Sequence, residues 1–359
     1  MYQALYRKYR SQTFSDIVGQ DHITNTLQQQ LINDRLSHAY LFVGTRGTGK
    51  TSCAKILSRA VNCLDLKDGN PCNVCVSCVG IEEGSILDVL ELDAASNNKV
   101  DDVRALRDEA IYTPATTKKR VYIIDEVHML TTPAFNALLK ILEEPPPHIL
   151  FILATTELHK VPATIQGRCQ KFSFKRLSRD EIINRLKMIS TKENLNLTDE
   201  AVEKLTSLAD GSMRDGISLL DQCITSKEID LQHVLDTIGL PSQQNLIRLL
   251  TAIGEKDINT ALKIIDTLYD EGKDMTSLLN ELSSLVRDLL IYKISPESGL
   301  INPNSDLNDL ESLSKILTSE QLYKYLDSLG DAIFGLSKGN QPRLAVEMCL
   351  FRLCEKGVV

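Results

Sequence analysis

Gly44-Thr45-Arg46-Gly47-Thr48-Gly49-Lys50-Thr51 is the stretch that decides the fold. It fits the pattern G-x-x-x-x-G-K-[ST], follows an apolar run at 39–43 that predicts a strand, and precedes a helical pattern at 50–62. In that context the glycines let backbone N–H groups surround phosphates, and the helix N-terminus adds positive potential. We therefore predict a nucleoside triphosphate site with Lys50 on the β- and γ-phosphates and Thr51 as a Mg²⁺ ligand. The predicted nucleotide contacts are Gly44, Thr45, Arg46, Gly47, Thr48, Gly49, Lys50, Thr51 and Ser52.

A second part of such a site follows in a later apolar run. Residues 121–124 predict a buried strand, and Asp125 and Glu126 come directly after it. In open α/β sheets ligands bind at the carboxyl ends of strands, so we predict that Asp125 holds Mg²⁺ and Glu126 polarises the attacking water. A strand that ends in two acidic residues is also ordinary at a protein surface. The P-loop upstream favours the catalytic interpretation.

Two hydroxyl residues, Thr155 and Thr156, end the next apolar run, at 149–154. The same argument places them beside the phosphates, where one hydroxyl is predicted to orient the attacking water or to sense the γ-phosphate, with Thr155 as the candidate. The alternative is a local turn in which the hydroxyl bonds to neighbouring backbone.

Four cysteines follow the predicted P-loop helix, with eight, two and two residues between them: Cys63, Cys72, Cys75 and Cys78. Four thiolates close a tetrahedral Zn²⁺ site and leave no position for water, so we predict a structural zinc ion in an insert at 63–80. An iron–sulfur cluster and unligated thiols are the alternatives, and the spacing lacks the usual cluster pattern. The other five cysteines lie scattered among apolar residues and are expected to be mostly buried hydrophobes.

Strand-like runs alternate with helical patterns through the first half of the chain, as is typical of a parallel sheet flanked by helices. The predicted strands are 39–43, 86–92, 121–124, 149–154 and 171–174, and the helices between them are 50–62, 101–111 and 132–142. Thr132 is the predicted N-cap of the last of these helices, followed by Pro133. From Leu177 onward only helical patterns remain, beginning with a capping box at Ser178 and including an apolar stripe at 278–290 and a loop at 295–309.

Length and composition limit the class of protein. The 359 residues predict two or three domains, and 43% hydrophobic with 25% charged residues is typical of a soluble globular protein. No apolar run approaches the roughly 18–20 residues that span a bilayer, and the first residues lack a signal-peptide core, so we expect a cytoplasmic protein. The net charge is −8, but residues 1–177 hold 21 Lys and Arg against 19 Asp and Glu. DNA contact by the first half is therefore not excluded.

The assembled motifs resemble the tau/gamma family of subunits of the bacterial DNA polymerase III clamp loader, which are AAA+ ATPases. Besides the P-loop and the cysteines, the resemblance rests on YRKYR at 6–10, QTF at 12–14, IVGQ at 17–20, HAYLF at 38–42, ELDAAS at 91–96, IDEVHML at 124–130, NALLK at 136–140, EEPP at 143–146, ATTE at 154–157 and GSMRD at 211–215. It implies an AAA+ module of α/β fold with a five-stranded parallel sheet at 1–177. A small helical lid domain at 178–240 and an all-α collar domain at 241–359, which joins subunits into a pentameric ring, are implied to follow.

The resemblance also implies roles for residues that spacing alone would leave as surface ion pairs. Arg168 resembles an arginine finger that reaches into a neighbour's ATP site, and Arg214 a sensor in its own subunit's site. The chain departs from the family pattern at Ser11, where proline is usual, and at Gly167, where serine usually precedes the finger. The residues implied to lie near the adenine are Arg10, Ile17 and Val18.

The function implied is that of an ATP-hydrolysing motor that helps to open the sliding clamp and load it onto primed DNA, within a DNA polymerase III holoenzyme at the bacterial replisome. The implied partners are delta-type and delta-prime-type subunits, further copies of the chain, the clamp and primed DNA. One alternative is another AAA+ DNA motor, of branch-migration or initiator type, which normally lacks the cysteine insert. Another is a non-catalytic scaffold subunit, which the intact P-loop and acidic pair disfavour. Candidates for contact with DNA phosphates are Asn97, Asn98 and Lys99.

Overall fold

The computed structural model describes residues 3–97, 100–302, 305–339 and 341–354, the side chains of Asp102, Arg107 and Ser337 excepted. The chain forms two compact units, one of residues 1–194 with 205–221 and the other of residues 195–204 with 222–359. Among the helices described, none is both long enough and apolar enough to cross a membrane.

A five-stranded sheet forms the centre of the first unit. Its strands are β1 Ala39–Val43, β2 Val89–Asp93, β3 Arg120–Asp125, β4 Ile149–Thr155 and β5 Gln170–Ser173. They pair in the order β2-β3-β4-β1-β5, and every pair is parallel, which confirms the predicted sheet. Val43 lies opposite Thr155 and Asp93 opposite Asp125, so the carboxyl ends of these strands share one edge, where open α/β sheets bind ligands.

Helices cover both faces of this sheet because alternate strand residues point to opposite sides. Tyr40 and Phe42 pack into one apolar cluster with Leu57 of the P-loop helix, whereas Leu41 packs into the other with Leu138. The helices as far as residue 222 are α1 Leu5–Lys8, α2 Asp21–Ile32, α3 Lys50–Asn62, α4 Val76–Glu83, α5 Val100–Glu109, α6 Thr132–Glu143, α7 Ala163–Gln166, α8 Arg179–Lys192, α9 Asp199–Ala209 and α10 Met213–Gln222. Short 3₁₀ turns lie at Phe14–Asp16, Val127–Met129 and Leu158–Lys160.

The second unit is mostly helical. Its further helices are α11 Leu231–Ile238, α12 Gln243–Gly254, α13 Ile258–Asp270, α14 Met275–Ile294, α15 Leu307–Ile316, α16 Ser319–Ser337 and α17 Pro342–Cys354. The apolar stripe predicted at 278–290 lies on α14 and is buried in the core of this unit, as its spacing predicts. In the last turn of α14, the Lys293 amine donates to the carbonyl oxygens of Ser314 and Leu317 at the end of α15, at 2.6 and 2.7 Å.

Several local expectations were wrong, among them the start of β2, predicted at 86 and found at Val89. The part after Leu177 is not helical throughout, because β6 Asn196–Leu197 and β7 Glu228–Ile229 form a small parallel ladder, too short to show a strand period in sequence. The N-cap of α6 is Thr131, not Thr132, because the amide of Phe135 already donates to the Thr131 carbonyl oxygen at 3.0 Å. The loop predicted at 295–309 ends early, because Asp306 caps α15 by accepting from the amide of Asn308 at 2.8 Å.

A buried carboxylate organises the loop that leads into β3. Asp88 is 3% exposed and accepts hydrogen bonds from the amides of Ala115, Thr116 and Thr117 and from the guanidinium of Arg120. Burial alone would raise the pKa of Asp88, but these hydrogen bonds outweigh it and lower the pKa to about 2. The ionised form therefore stabilises the folded chain.

Replacing Asp88 with asparagine is expected to lower the free energy of unfolding by about 2 kcal/mol at pH 7. Because the folded pKa lies below the unfolded value of about 3.9, the contribution is present above about pH 4 and lost as the pH falls toward 2. Urea unfolding at pH 7, 5, 4 and 3.5 measures this contribution. The difference in the free energy of unfolding between wild type and variant should become smaller as the pH falls. Asp65→Asn, at an exposed site, is the control, and a gap independent of pH would contradict the assignment.

Candidate functional site

The loop between β1 and α3 has the backbone form that phosphate binding requires. Gly47 and Gly49 have φ values of 75° and 105°, in the left-handed region that favours glycine. A Cβ at Gly47 would also lie 1.9 Å from the hydroxyl oxygen of Ser212. Gly49 is the N-cap of α3, so the positive end of that helix opens into the loop.

Lys50 and Thr51 begin α3 and point to different parts of the site. Lys50 is 5% exposed, and its amine donates to the carbonyl oxygens of Gly44 and Thr45, each at 2.8 Å. Burial lowers the pKa of Lys50, and the charges of Glu126 and Asp125 oppose that shift. An amine held inside a phosphate loop in this way is a ready partner for an anion.

The hydroxyl of Thr51 donates to the carboxylate of Asp125 at 2.7 Å. The two residues are 74 positions apart and meet because β1 and β3 flank β4 in the sheet. The other Asp125 oxygen accepts from the amide of Glu126 at 2.9 Å. A hydroxyl and a carboxylate are the hard oxygen donors that Mg²⁺ takes beside substrate phosphates, so this pair fits that ion.

Glu126 is held in an uncommon backbone conformation for its residue type, with φ at 48°. Its Oε2 atom accepts from the amide and the hydroxyl of Thr156, at 3.3 and 3.0 Å. Thr155 ends β4 and Thr156 follows it, and Thr156 is the one whose hydroxyl contacts the predicted general base. Strained backbone beside a carboxylate is often found at catalytic sites.

Thr155 is fully buried and has other partners. Its hydroxyl oxygen lies 3.0 Å from Nδ1 of His128 and accepts from the amide of Glu157 at 3.0 Å. His128 also places Nδ1 3.4 Å from Glu126 and Nε2 3.3 Å from Glu157. A histidine thus links the candidate catalytic carboxylate to the end of β4.

Two of the three residues that the resemblance places near the adenine contact the P-loop or the start of its helix. Arg10 donates to the hydroxyl oxygen of Ser52 at 3.2 Å. Ile17 is 6% exposed and approaches within 3.7 Å of the position a Cβ would take at Gly49, and Val18 follows it. Burial lowers the pKa of Arg10, and the nearby charge of Arg214 adds to that shift.

Arg214 opens α10 beside the same loop. The amide of Met213 donates to the carbonyl oxygen of Gly47 at 3.1 Å, and the Arg214 guanidinium lies 5.2 Å from the centre of the Tyr6 ring. Arg214 is exposed, so it can meet a bound anion. Two arginines and one lysine therefore surround the P-loop.

Arg168 lies elsewhere, in the turn after α7. Its guanidinium donates to the carbonyl oxygen of Thr164 at 2.8 Å and to the carboxylate of Glu143 at 2.5 Å, and its side chain is 35% exposed. Neither partner belongs to the P-loop or the acidic pair. These contacts hold the arginine at the surface, where another molecule can reach it.

The four predicted metal ligands converge. The Sγ atoms of Cys63, Cys72, Cys75 and Cys78 all lie within 4.8 Å of one another. Bonds of about 2.3 Å to a tetrahedral zinc ion separate the sulfurs by about 3.8 Å, so the donor set fits zinc after a contraction of about 1 Å at most. Burial acts to raise the pKa of Cys75, but hydrogen bonds from the backbone of Leu64 and Cys78 outweigh it and lower the pKa to about 6.

Several contributions escaped sequence reasoning. Gln20 is fully buried; its side chain donates to the carbonyl oxygen of Lys175 at 2.8 Å and accepts from its amide at 3.1 Å, which ties the N-terminal segment to the end of β5. His128 and Ser212 stand inside matched motifs, but only the fold shows what they touch. Of the DNA-contact candidates, Asn98 and Lys99 lie outside the described residues.

Fold and site together define a P-loop nucleotide-binding protein of the AAA+ type. Three family models match in succession: DNA polymerase III, delta subunit, at residues 19–178; DNA polymerase III clamp loader subunit, ATPase lid domain, at 181–228; and DNA polymerase III subunits gamma and tau domain III, at 229–357. The chain is 45% identical to the DNA polymerase III subunit tau of Bacillus subtilis over 99% of its length and 63% of the relative's.

The chain is also 35% identical to the DNA polymerase III subunit gamma of Buchnera aphidicola subsp. Baizongia pistaciae, over 98% of this chain and 96% of that one. It therefore belongs to the family of DNA polymerase III tau and gamma subunits. It spans 63% of the Bacillus subtilis protein and 55% of the Escherichia coli tau subunit, to which it is 38% identical. A solved structure of the Thermotoga maritima RuvB Holliday junction branch migration motor matches 68% of this chain and 79% of its own at 17% identity and a TM-score of 0.49.

Proposed function

We propose that the chain is an ATP-hydrolysing motor subunit of a clamp loader, which helps to open a ring-shaped sliding clamp and place it on primed DNA. The observation that carries this proposal is the 2.7 Å bond between Thr51 and Asp125, in a chain of this family. It joins the P-loop to the acidic strand end, and Glu126 follows at the next position. A subunit that served only as a scaffold would not need these three groups together.

In this proposal the chain's own residues divide the work on ATP. The P-loop amides and Lys50 bind the phosphates, and Thr51 and Asp125 hold Mg²⁺, which when bound neutralises charge on the phosphates. Glu126 takes the proton of the attacking water at its carboxylate. Thr156 keeps that carboxylate oriented through its amide and hydroxyl.

Arg168 acts in trans in this proposal. Its contacts within the chain are with Glu143 and Thr164, away from the P-loop, so it is available to a neighbouring subunit's γ-phosphate. An arginine finger stabilises the charge that develops in the transition state and makes hydrolysis depend on assembly. The neighbours we propose are further copies of the chain and delta-type and delta-prime-type subunits in a pentamer.

We further propose a division into an ATPase domain at 1–177, a lid at 178–240 and a collar at 241–359. The matches of the lid and domain III models at 181–228 and 229–357 support boundaries near these. The cysteine cluster is proposed to hold a structural Zn²⁺ ion, because four converging thiolates leave no position for a substrate. The proposed location is the bacterial cytoplasm, at the replisome.

The Glu126→Gln variant tests the mechanism in the assembled complex. We expect turnover of ATP to fall by about 10²–10⁴-fold, because the amide cannot accept the proton from water. ATP binding should persist, so the complex should still capture the clamp in ATP but fail to release it on primed DNA. Steady-state ATPase assays and a fluorescence assay of clamp release measure the two steps.

Glu144→Gln serves as the matched control, because Glu144 is an exposed glutamate that follows α6 and lies outside the proposed site. It should leave both steps unchanged. Normal ATP turnover by Glu126→Gln would refute the role of Glu126. A wild-type rate of ATP turnover that does not change when clamp and primed DNA are added would refute the clamp-loading function.

A further inference from the structure

A short turn at residues 12–16 lies between the cysteine insert and the P-loop helix. The turn is rigid, because one oxygen of Asp16 accepts from the amides of Gln12 and Thr13 and from the Thr13 hydroxyl, at 3.1, 2.9 and 2.8 Å. Phe14, in its middle, is 1% exposed. A displacement of this turn would therefore move it as one body.

Two asparagines of the insert bind the turn. The side-chain oxygen of Asn70 accepts from the amide of Phe14 at 2.9 Å, and its nitrogen donates to the hydroxyl oxygen of Ser15 at 3.4 Å. The side-chain nitrogen of Asn73 donates to the carbonyl oxygen of Gln12 at 3.2 Å. The two asparagines thus bind the turn at Gln12, Phe14 and Ser15.

The cysteine cluster holds these asparagines in place. Asn70 is two residues before Cys72, and Asn73 directly follows it in the left-handed region, with φ at 60°. The amide of Cys72 donates to the sulfur of Cys63 at 3.3 Å. Because Cys72 is a member of the cluster, the arrangement of the four cysteine sulfurs sets the position of the Asn70 and Asn73 side chains.

A buried arginine makes a second connection. Arg59 of α3 is 2% exposed, donates to the carbonyl oxygen of Gln12 at 3.0 Å and forms an ion pair with Glu82 of α4. That helix begins immediately after Cys75, its N-cap. Separating Arg59 from Glu82 would leave a buried charge without its carboxylate partner, which costs free energy. The insert and the P-loop helix are therefore coupled here.

The other side of the turn faces the nucleotide site. Arg10 precedes it and donates to Ser52, and Ile17 follows it and packs beside Gly49. We infer that the metal-bound insert positions the nucleotide site: Asn70 and Asn73 hold the 12–16 turn, and the turn holds Arg10 and Ile17 against the P-loop helix. The inference rests on the nucleotide binding proposed above and assigns the insert a positioning role, with no contact to ATP.

The test uses the full chain carrying both Asn70→Ala and Asn73→Ala. We expect zinc content by native mass spectrometry to stay unchanged, while the Kd for ATP rises about tenfold through the loss of hydrogen bonds to the turn. Hydrogen exchange at residues 12–17 should accelerate in the absence of ATP. The single variant Asn70→Asp keeps the acceptor for the Phe14 amide and should therefore retain most of the wild-type affinity for ATP. Val74→Ala, at an exposed position in the same loop, should change neither quantity.

Removing zinc with a chelator supplies the second arm. It should weaken ATP binding by the wild type to the level of the double variant and weaken the double variant little further, because both act through one connection. An unchanged Kd for ATP in the double variant, with zinc bound and with ATP binding weakened in Lys50→Ala, would overturn the positioning role and leave the ATPase intact. Failure of the wild type to bind ATP would instead overturn the proposed function.

Discussion

Replacing Lys50 with alanine is expected to lower ATP turnover of the assembled complex by about 10³-fold and to weaken ATP binding. The amine is buried inside the loop, 2.8 Å from the Gly44 and Thr45 carbonyl oxygens, where it can transfer to phosphate oxygens with little movement. Hydrogen bonds from a cation to an anion in such a protected site are strong, and alanine offers none. Equilibrium binding of a fluorescent ATP analogue and steady-state turnover measure the two effects.

Lys55→Ala is the matched control, because Lys55 lies on the same helix and pairs with Glu91 instead of facing the loop. It removes the same charge and should leave turnover within about twofold, since partly exposed ion pairs contribute little. Full activity in Lys50→Ala would refute the phosphate site, and an equal loss in both variants would point to a general effect on α3.

Replacing Arg168 with alanine is expected to lower turnover of the assembled complex by about 10³–10⁵-fold while leaving the Kd for ATP nearly unchanged. The guanidinium contacts Glu143 and Thr164 in its own chain and no residue of its own P-loop. Its loss should therefore act on the transition state in a neighbour's site and not on ATP binding in its own. Single-turnover kinetics and ATP titrations separate the two quantities.

Mixing variants distinguishes action in trans from action in cis. A Lys50→Ala subunit has no working site but still carries Arg168, whereas an Arg168→Ala subunit has an intact site and lacks the finger. Assemblies formed from both should regain part of the activity that either variant alone lacks. Arg35→Ala, an exposed arginine before β1, is the control. Mixtures with no recovered turnover would contradict a finger supplied by the neighbour.

Local patterns predicted the parts of the fold whose signals lie within a few residues. The bounds of β1 and α3 match the predicted ranges, because the glycines of the P-loop end one element and cap the next. The start of β2 was placed three residues early, at 86 instead of Val89. Residues 86–88 precede the strand, and Asp88 among them accepts a hydrogen bond from the backbone amide of Ala115. No local sequence pattern indicates a partner so distant along the chain.

In the candidate site too, local patterns predicted which segments take part but not which side chains they contact. The sequence singled out both hydroxyls at the end of β4, with Thr155 as the candidate, and the structure adds their contacts: Thr156 bonds Glu126, and Thr155 bonds His128. Successive residues at a strand end point in different directions, so a choice between two adjacent threonines depends on the orientation of the strand in the sheet. Spacing along the chain does not contain that orientation.

By itself the amino-acid sequence determined that this chain has a P-loop, an acidic strand end and four clustered cysteines, because each of these is a run of residues whose chemistry acts over a short distance along the chain. Only the tertiary structure decided what those runs meet. The order β2-β3-β4-β1-β5 brings Thr51 to Asp125 across 74 positions, and the folded insert brings Asn70 to Phe14 across 56. Such pairs depend on which strands and helices pack side by side, a property of the whole core and not of any segment within it.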